Sequence, residues 1–168
     1  MATHRKVFFS FHYDRDVWRA GVVRNSDRIK AQDTVVGRFL DKAEWESLKR
    51  NGDRAVSNWI DTQMSGTSVT VVLIGQETAS RPWVLEEIRK SYVKGNGMLG
   101  VRVHSIPDWS HGRQGEINSP GPDPFAAVVD PNDSRRTLAG RYPIYNWDDA
   151  CRLYLPDYID KAAQLAGK

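Results

Sequence analysis

The sequence predicts an α/β domain: a three-layer sandwich in which a five-stranded, mainly parallel sheet lies between two layers of helices. Three observations lead there. Short runs of β-branched and aromatic residues alternate with stretches of helical apolar spacing, and parallel neighbours need connections of helix length. The runs are apolar on both faces, as strands covered on both sides are. With 168 residues, 40% hydrophobic and 27% charged, the chain can form one domain over residues 1–168 with a sizeable core, and no internal repeat competes.

Residues 6–11 read as the first strand, suited to a place near the middle of the sheet. Asp14 and Asp16 can cap a helix after it, with Val17, Trp18, Gly21, Val22 and Asn25 spaced to give one inward face. Residues 34–40 read as a second strand and 53–64 as a helix, and the segment around Trp45 between them has room for a short helix. Residues 68–75 are the clearest buried strand. The clearest helix is 80–94, with Ser80 as its cap, Pro82 in its first turn and a Gly-Asn-Gly run to end it. Residues 98–104 form a fourth strand. Residues 105–141, rich in Pro, Gly, Asp and Ser and without either period, read as a long loop. A last short strand at 142–146 precedes a C-terminal helix containing Leu153, Tyr154, Tyr158, Ile159 and Ala163, with Pro156 as a point of interruption.

Composition removes several function classes. The single cysteine, Cys151, excludes an internal disulfide and any multi-cysteine metal site, and its apolar surroundings suit packing. His4, His12, His104 and His111 lack paired metal-ligand spacing, so no metal is expected. The net charge of +3 comes from 24 basic and 21 acidic residues scattered along the chain, which does not imply nucleic acid. The longest apolar run, 69–75, is far shorter than a membrane span, and the first residues lead straight into a strand, so a cytoplasmic protein with no membrane partner is expected.

In parallel sheets of this kind ligands bind beyond the carboxyl ends of the strands, where the strand order reverses. For the flavodoxin-like order 2-1-3-4-5 that point lies between the first and third strands, which singles out residues 11–16 and 75–83. On the helix from Ser80, about 100° per residue puts Val84, Ile88, Ser91 and Tyr92 on one stripe. Glu86 falls opposite the stripe. Glu87 falls on its edge, one turn after Trp83, half buried and aimed at the reversal point. Spacing alone leaves open that both acids only favour the start of a helix through its dipole. At the end of the first strand Ser10, Phe11, His12 and Tyr13 offer a hydroxyl, aromatic faces and an imidazole, which suits ribose and base recognition; strand-end packing is the alternative. No Gly-x-Gly-x-x-Gly or Walker-type loop follows either strand. The strand ends, Ser10-Phe11 and Gly75, lack the acidic cluster and phosphoacceptor Asp of a receiver domain, and no Ser/Thr/Gly-rich loop is present for FMN phosphate.

At these residues the sequence resembles the TIR-like proteins of bacterial Thoeris anti-phage systems. The resemblance rests on Val7-Phe-Phe-Ser-Phe-His-Tyr13, Val22-Val-Arg-Asn25, Thr67-Ser-Val-Thr-Val-Val-Leu-Ile-Gly75 and Trp83-Val-Leu-Glu-Glu-Ile88. Lys94-Gly-Asn96, Gly121-Pro-Asp-Pro-Phe125 and Ile144-Tyr-Asn-Trp147 follow in order, so it covers nearly the whole chain. The resemblance implies a flavodoxin-like, TIR-like fold and an enzyme of the NAD glycohydrolase or ADP-ribosyl cyclase type. Such an enzyme, on a phage-derived trigger, cleaves the nicotinamide–ribose bond of NAD and releases a cyclic ADP-ribose isomer. A partner effector then reads that diffusible signal. The family's catalytic glutamate matches Glu87, with Ser10, Phe11, His12, Trp45 and Trp83 as substrate-binding candidates, NAD or a related nucleotide as substrate and no cofactor. TIR enzymes commonly self-associate to complete a site, which makes a homo-oligomer possible. Two other readings stand beside this one: a non-enzymatic TIR-type interaction module, and a nucleoside deoxyribosyltransferase-like enzyme.

Overall fold

The β-branched runs become strands buried on both faces because each is flanked by segments long enough to cross over and cover it. A computed structural model describes residues 5–31, 40 and 42–168. In chain order its elements are β1 (Val7–Ser10), α1 (Tyr13–Arg24), α2 (Asp27–Ala31), α3 (Lys42–Arg50), α4 (Asp53–Met64), β2 (Val69–Ile74), a 3₁₀ turn (Thr78–Ser80) and α5 (Pro82–Lys94). After these come β3 (Gly97–Arg102), a second 3₁₀ turn (Pro124–Ala127), β4 (Val129–Asp130), β5 (Asp133–Thr137), β6 (Ile144–Asn146) and α6 (Asp149–Leu165).

The main sheet has the order β1-β2-β3-β6. Every pair in it is parallel, with Val7 opposite Val69, Val69 opposite Gly97 and Gly100 opposite Ile144. This is the 1-3-4-5 part of the expected order. The expected second strand, 34–40, lies outside the described residues except for Leu40. Side chains alternate between two cores. Val71, Leu73, Leu99 and Val101 share one with Ala20 and Val23 of α1 and Leu155 and Ile159 of α6. Val72, Ile74 and Met98 share the other with Val84 and Ile88 of α5 and with Phe125 and Leu138. The last strand is short because Pro143 accepts from the Gly100 N–H at 2.9 Å but has no N–H of its own to extend the ladder.

Four expectations are corrected. First, α1 turns Asp16, Arg19, Ala20 and Val23 inward, while Val17, Trp18 and Val22 of the apolar stripe are more than a third exposed. Second, α6 runs unbroken through Pro156. Only the bond to the Arg152 carbonyl is lost, and burial of Cys151, Leu155, Ile159 and Ala163 holds the turns on either side. Leu153 and Tyr154 of this helix are exposed. Third, residues 105–141 carry the second 3₁₀ turn and the antiparallel β4–β5 hairpin, whose two-residue turn is fixed by the Asp130 carboxylate accepting from the Asn132 N–H at 2.8 Å. Fourth, Ser80 does not cap α5. Pro82 at the first helical position holds the preceding residue extended, so the helix begins from Arg81, and the Ser80 hydroxyl donates to Glu77 O at 2.9 Å within the 3₁₀ turn.

The carboxyl ends of β1 and β2 are braced by a fully buried arginine. Arg19 donates from Nε to Ile106 O (2.9 Å), from Nη2 to Glu116 O (2.9 Å) and from Nη1 to Asp16 Oδ1 (3.1 Å). The Asp16 carboxylate in turn lies against Gly75, where any Cβ would overlap it, and a Cβ on Gly121 would overlap the Gly75 carbonyl. One side chain thereby ties α1 and the end of β2 to the segment after β3. Arg19→Ala leaves Asp16 buried without its cation, and a loss of about 3–5 kcal/mol is expected in denaturant unfolding.

Candidate active site

Ser10 ends β1, so its side chain emerges at the carboxyl edge of the sheet. Trp83, Val84 and Glu87 come from the first turn and a half of α5, whose buried stripe is Val84, Glu87, Ile88 and Ser91. Glu87 lies on that stripe rather than on its margin and is 1% exposed. Its neighbour Glu86 points away and is held by Arg89 at 2.6 and 2.8 Å.

The Ser10 hydroxyl donates to Glu87 Oε2, and Glu87 Oε1 has no partner. Phe11, His12, Tyr13, Asp14, Trp45 and Lys49 line a cleft over this carboxyl from one side, and Arg81, Pro82, Trp83 and Val84 from the other. All six residues nominated from sequence, Ser10, Phe11, His12, Trp45, Trp83 and Glu87, are thus brought together. Tyr13, read from sequence with the other residues at the end of the first strand as suited to ribose and base recognition, joins them in the cleft, and Arg81 is the lining residue that sequence reasoning missed. The Tyr13 ring stacks on Trp45 at 4.6 Å and lies 4.3 Å from Phe11, so the aromatic wall is continuous.

Burial dominates the electrostatics. It pushes the Glu87 carboxyl up to about 8, against the opposing effect of the Ser10 hydrogen bond, so Glu87 holds a proton at neutral pH while the cleft is closed. Burial, and then the Glu87 charge, raise the Tyr13 phenol well above its ordinary value. Burial and then Arg81 lower His12, leaving a neutral imidazole whose Nε2 is 3.6 Å from Glu77 Oε2. The cleft holds about 50 Å³, far below the few hundred Å³ that a nucleotide needs. A larger cavity of about 620 Å³ lies beyond the amino end of β3, among Tyr92, Tyr142, Tyr145 and Tyr158. It offers no buried, unpartnered carboxyl, so the smaller cleft is where chemistry is to be sought.

A parallel sheet covered by helices on both faces, with a buried carboxyl and an aromatic wall beyond the carboxyl ends of two neighbouring strands, defines the class: an α/β domain with a cleft at the strand ends. Residues 8–108 match the family described as Thoeris protein ThsB, TIR-like domain, and the chain belongs to that family. It is also similar to a Bacillus cereus (strain MSX-D12) protein named as a proposed cyclic ADP-D-ribose synthase, ThsB1, with 41% identity over 122 residues. That alignment takes in 72% of this chain and 61% of the relative's length. Among the described residues no helix is long and apolar enough to cross a membrane.

The raised Glu87 value has a thermodynamic consequence. Between its ordinary value of 4.5 and about 8 the folded protein binds the proton that the unfolded chain releases, so stability falls as pH rises through that window. Glu87→Gln keeps an acceptor for Ser10 and removes this loss. Its melting temperature should match wild type below pH 4.5, exceed it increasingly with pH, and level off above pH 8. An unchanging difference across that range would contradict the assignment.

Proposed function

We propose that this chain is a NAD-processing enzyme of Thoeris anti-phage defence, of the NAD glycohydrolase or ADP-ribosyl cyclase type, with Glu87 as its catalytic residue. The observation that carries the reading is the Glu87 carboxyl: buried, unpaired with any cation among the described residues, and with one oxygen free inside an aromatic-walled cleft. Membership of the ThsB TIR-like family supports it, as does the name of the Bacillus cereus relative.

The chemistry asks for little beyond one carboxylate. Nicotinamide leaves from a pyridinium, taking the electron pair of the glycosidic bond onto its ring nitrogen and departing as a neutral molecule. No general acid is needed. The burden is the positive charge that develops on the ribose, which a nearby carboxylate offsets. Substrate entry opens the cleft, and Glu87 loses its proton as its surroundings become polar. Oε1 then accepts from the ribose hydroxyls, and Ser10 fixes the carboxylate through Oε2. Phe11, Trp45 and Trp83 hold the flat rings, and neutral His12 donates or accepts a hydrogen bond at the rim. With water kept out by this wall, the nucleotide's own base or ribose hydroxyl attacks the anomeric carbon. A hydroxyl gives up its proton as the new bond forms, and a cyclic ADP-ribose isomer results. That product would be the diffusible signal for a partner effector, formed in the cytoplasm by a single domain acting alone or as a homo-oligomer.

The test uses phage-infected cells expressing wild-type chain or Glu87→Gln, with lysate nucleotides resolved by mass spectrometry. A cyclic ADP-ribose isomer is expected from wild type and a fall of at least about 100-fold from the variant, the scale on which loss of a charge-stabilising group acts. Equal nucleotide profiles from the two would remove Glu87 from the chemistry.

A further inference from the structure

Besides the Glu87 carboxyl, three hydrogen-bonding groups on residues that line its cleft lack partners among the described residues. Helix α5 starts without a side-chain cap, and Pro82 at its first position has no N–H to offer. The first helical bond is Leu85 N–H to Arg81 O at 3.1 Å, and no acceptor among the described residues takes the N–H groups of Trp83 and Val84. The third group is the Arg81 guanidinium. It lines the cleft, and its charge reaches His12, yet it makes no hydrogen bond or ion pair among the described residues. Lys49, the other cation of the wall, differs: its Nζ is 2.9 Å from Glu46 Oε1, 3.7 Å from Asp14 Oδ2 and 5.6 Å from the Trp45 ring centre.

The unmet needs are of opposite kinds. Glu87 Oε1, nearly fully buried, can only take a donor such as a hydroxyl once the carboxyl is ionised in the opened cleft. Arg81 and the two amides can only take acceptors, and a helix start with an adjacent guanidinium favours anionic oxygens. A metal ion would satisfy Glu87 and repel Arg81. An inorganic anion would satisfy Arg81 and repel the ionised Glu87. A ligand that serves both must present hydroxyls to Glu87 and a phosphate to the start of α5. Glu87 follows Val84 by three residues, so the two needs lie roughly 5 Å apart along the helix axis. A ribose bearing a 5′-phosphate spans such a gap with one rigid ring.

We infer that Arg81 and the free N–H groups of Trp83 and Val84 form a phosphate subsite, and that it selects 5′-phosphorylated ribosyl ligands, nucleotides, over nucleosides. This deepens the proposed function and rests on its placing the ribose hydroxyls at Glu87. It also separates the chain from a deoxyribosyltransferase-like enzyme, whose nucleoside substrates carry no phosphate. Arg81 is a binding residue here and takes no part in bond breaking.

The test is ligand binding to the full chain, read from the fluorescence of the cleft tryptophans Trp45 and Trp83 and checked by calorimetry. ADP-ribose and ribose 5-phosphate are the phosphorylated probes, and adenosine and ribose their unphosphorylated counterparts. Arg81 is partly buried and unpaired among the described residues, so Arg81→Gln should melt close to wild type. It should weaken both phosphorylated probes by about 10- to 100-fold, the loss of a charge-assisted hydrogen bond. Adenosine and ribose should be unaffected, and Arg81→Lys should recover part of the difference. The inference is overturned if Arg81→Gln binds the phosphorylated probes as wild type does, weakens all four probes equally, or if wild type shows no preference for phosphorylated probes. Failure of the catalytic reading looks different: Glu87→Gln would then still make the signal nucleotide while phosphate binding still depended on Arg81.

Discussion

A carboxyl group taken almost wholly out of water, with a hydroxyl as its hydrogen-bond partner and no ion pair among the described residues, is the constraint around which the carboxyl end of this sheet is organised. Burying Glu87 in the charged state would cost many times the contribution of one hydrogen bond, so the folded protein keeps it protonated and joined to Ser10. That contact spans the first strand and the helix after the second, which fixes how α5 starts. Pro82 then sets the extended residue before the helix, and the 3₁₀ turn, the uncapped amides and the orientation of Trp83 follow from it. Stability is given up locally and recovered in the two cores on either side of the sheet, a trade typical of sites built to hold an ionisable group in readiness.

The bracing around the cleft is polar where most of the fold is apolar. Arg19 binds two carbonyls of the segment after β3 and the carboxylate of Asp16, while Gly75 and Gly121 let backbones approach closer than any side chain would permit. The segment after β3 is therefore part of the site's support even though it contributes no lining residue. A loop anchored through a buried guanidinium keeps the carboxyl ends of β1 and β2 at a fixed spacing beside the cleft.

Much of this was legible in the sequence, and the limits have physical causes. The helix at 53–64 was readable to its ends, and the 3.6-residue period was enough to separate Glu87 from Glu86, because geometry alone decides which of two adjacent acids faces the core. The inward face of α1 was not legible. Apolar periodicity points to Val17, Trp18 and Val22, but the buried Arg19–Asp16 pair, whose guanidinium also donates to the distant carbonyls of Ile106 and Glu116, outweighs it, and no local pattern carries that information. Ser80 failed as a cap for a related reason: a serine near a helix start is a common signal, and the proline two residues later overrides it. The β4–β5 hairpin escaped notice because strands of two and five residues, mostly solvent-facing, show no alternation to detect.

The cleft's volume, about 50 Å³, bears on how any ligand gains entry. A pocket that must enlarge before it can be filled divides every ligand's intrinsic affinity by the fraction of molecules that are open at any moment. Anything that raises this fraction strengthens all ligands by the same factor, without touching Glu87, Ser10 or Arg81. If the proposed function holds, an infection cue would therefore need neither to resemble the substrate, nor to compete with it, nor to reach the cleft at all. Binding the open form better than the closed one, anywhere on the surface, is sufficient.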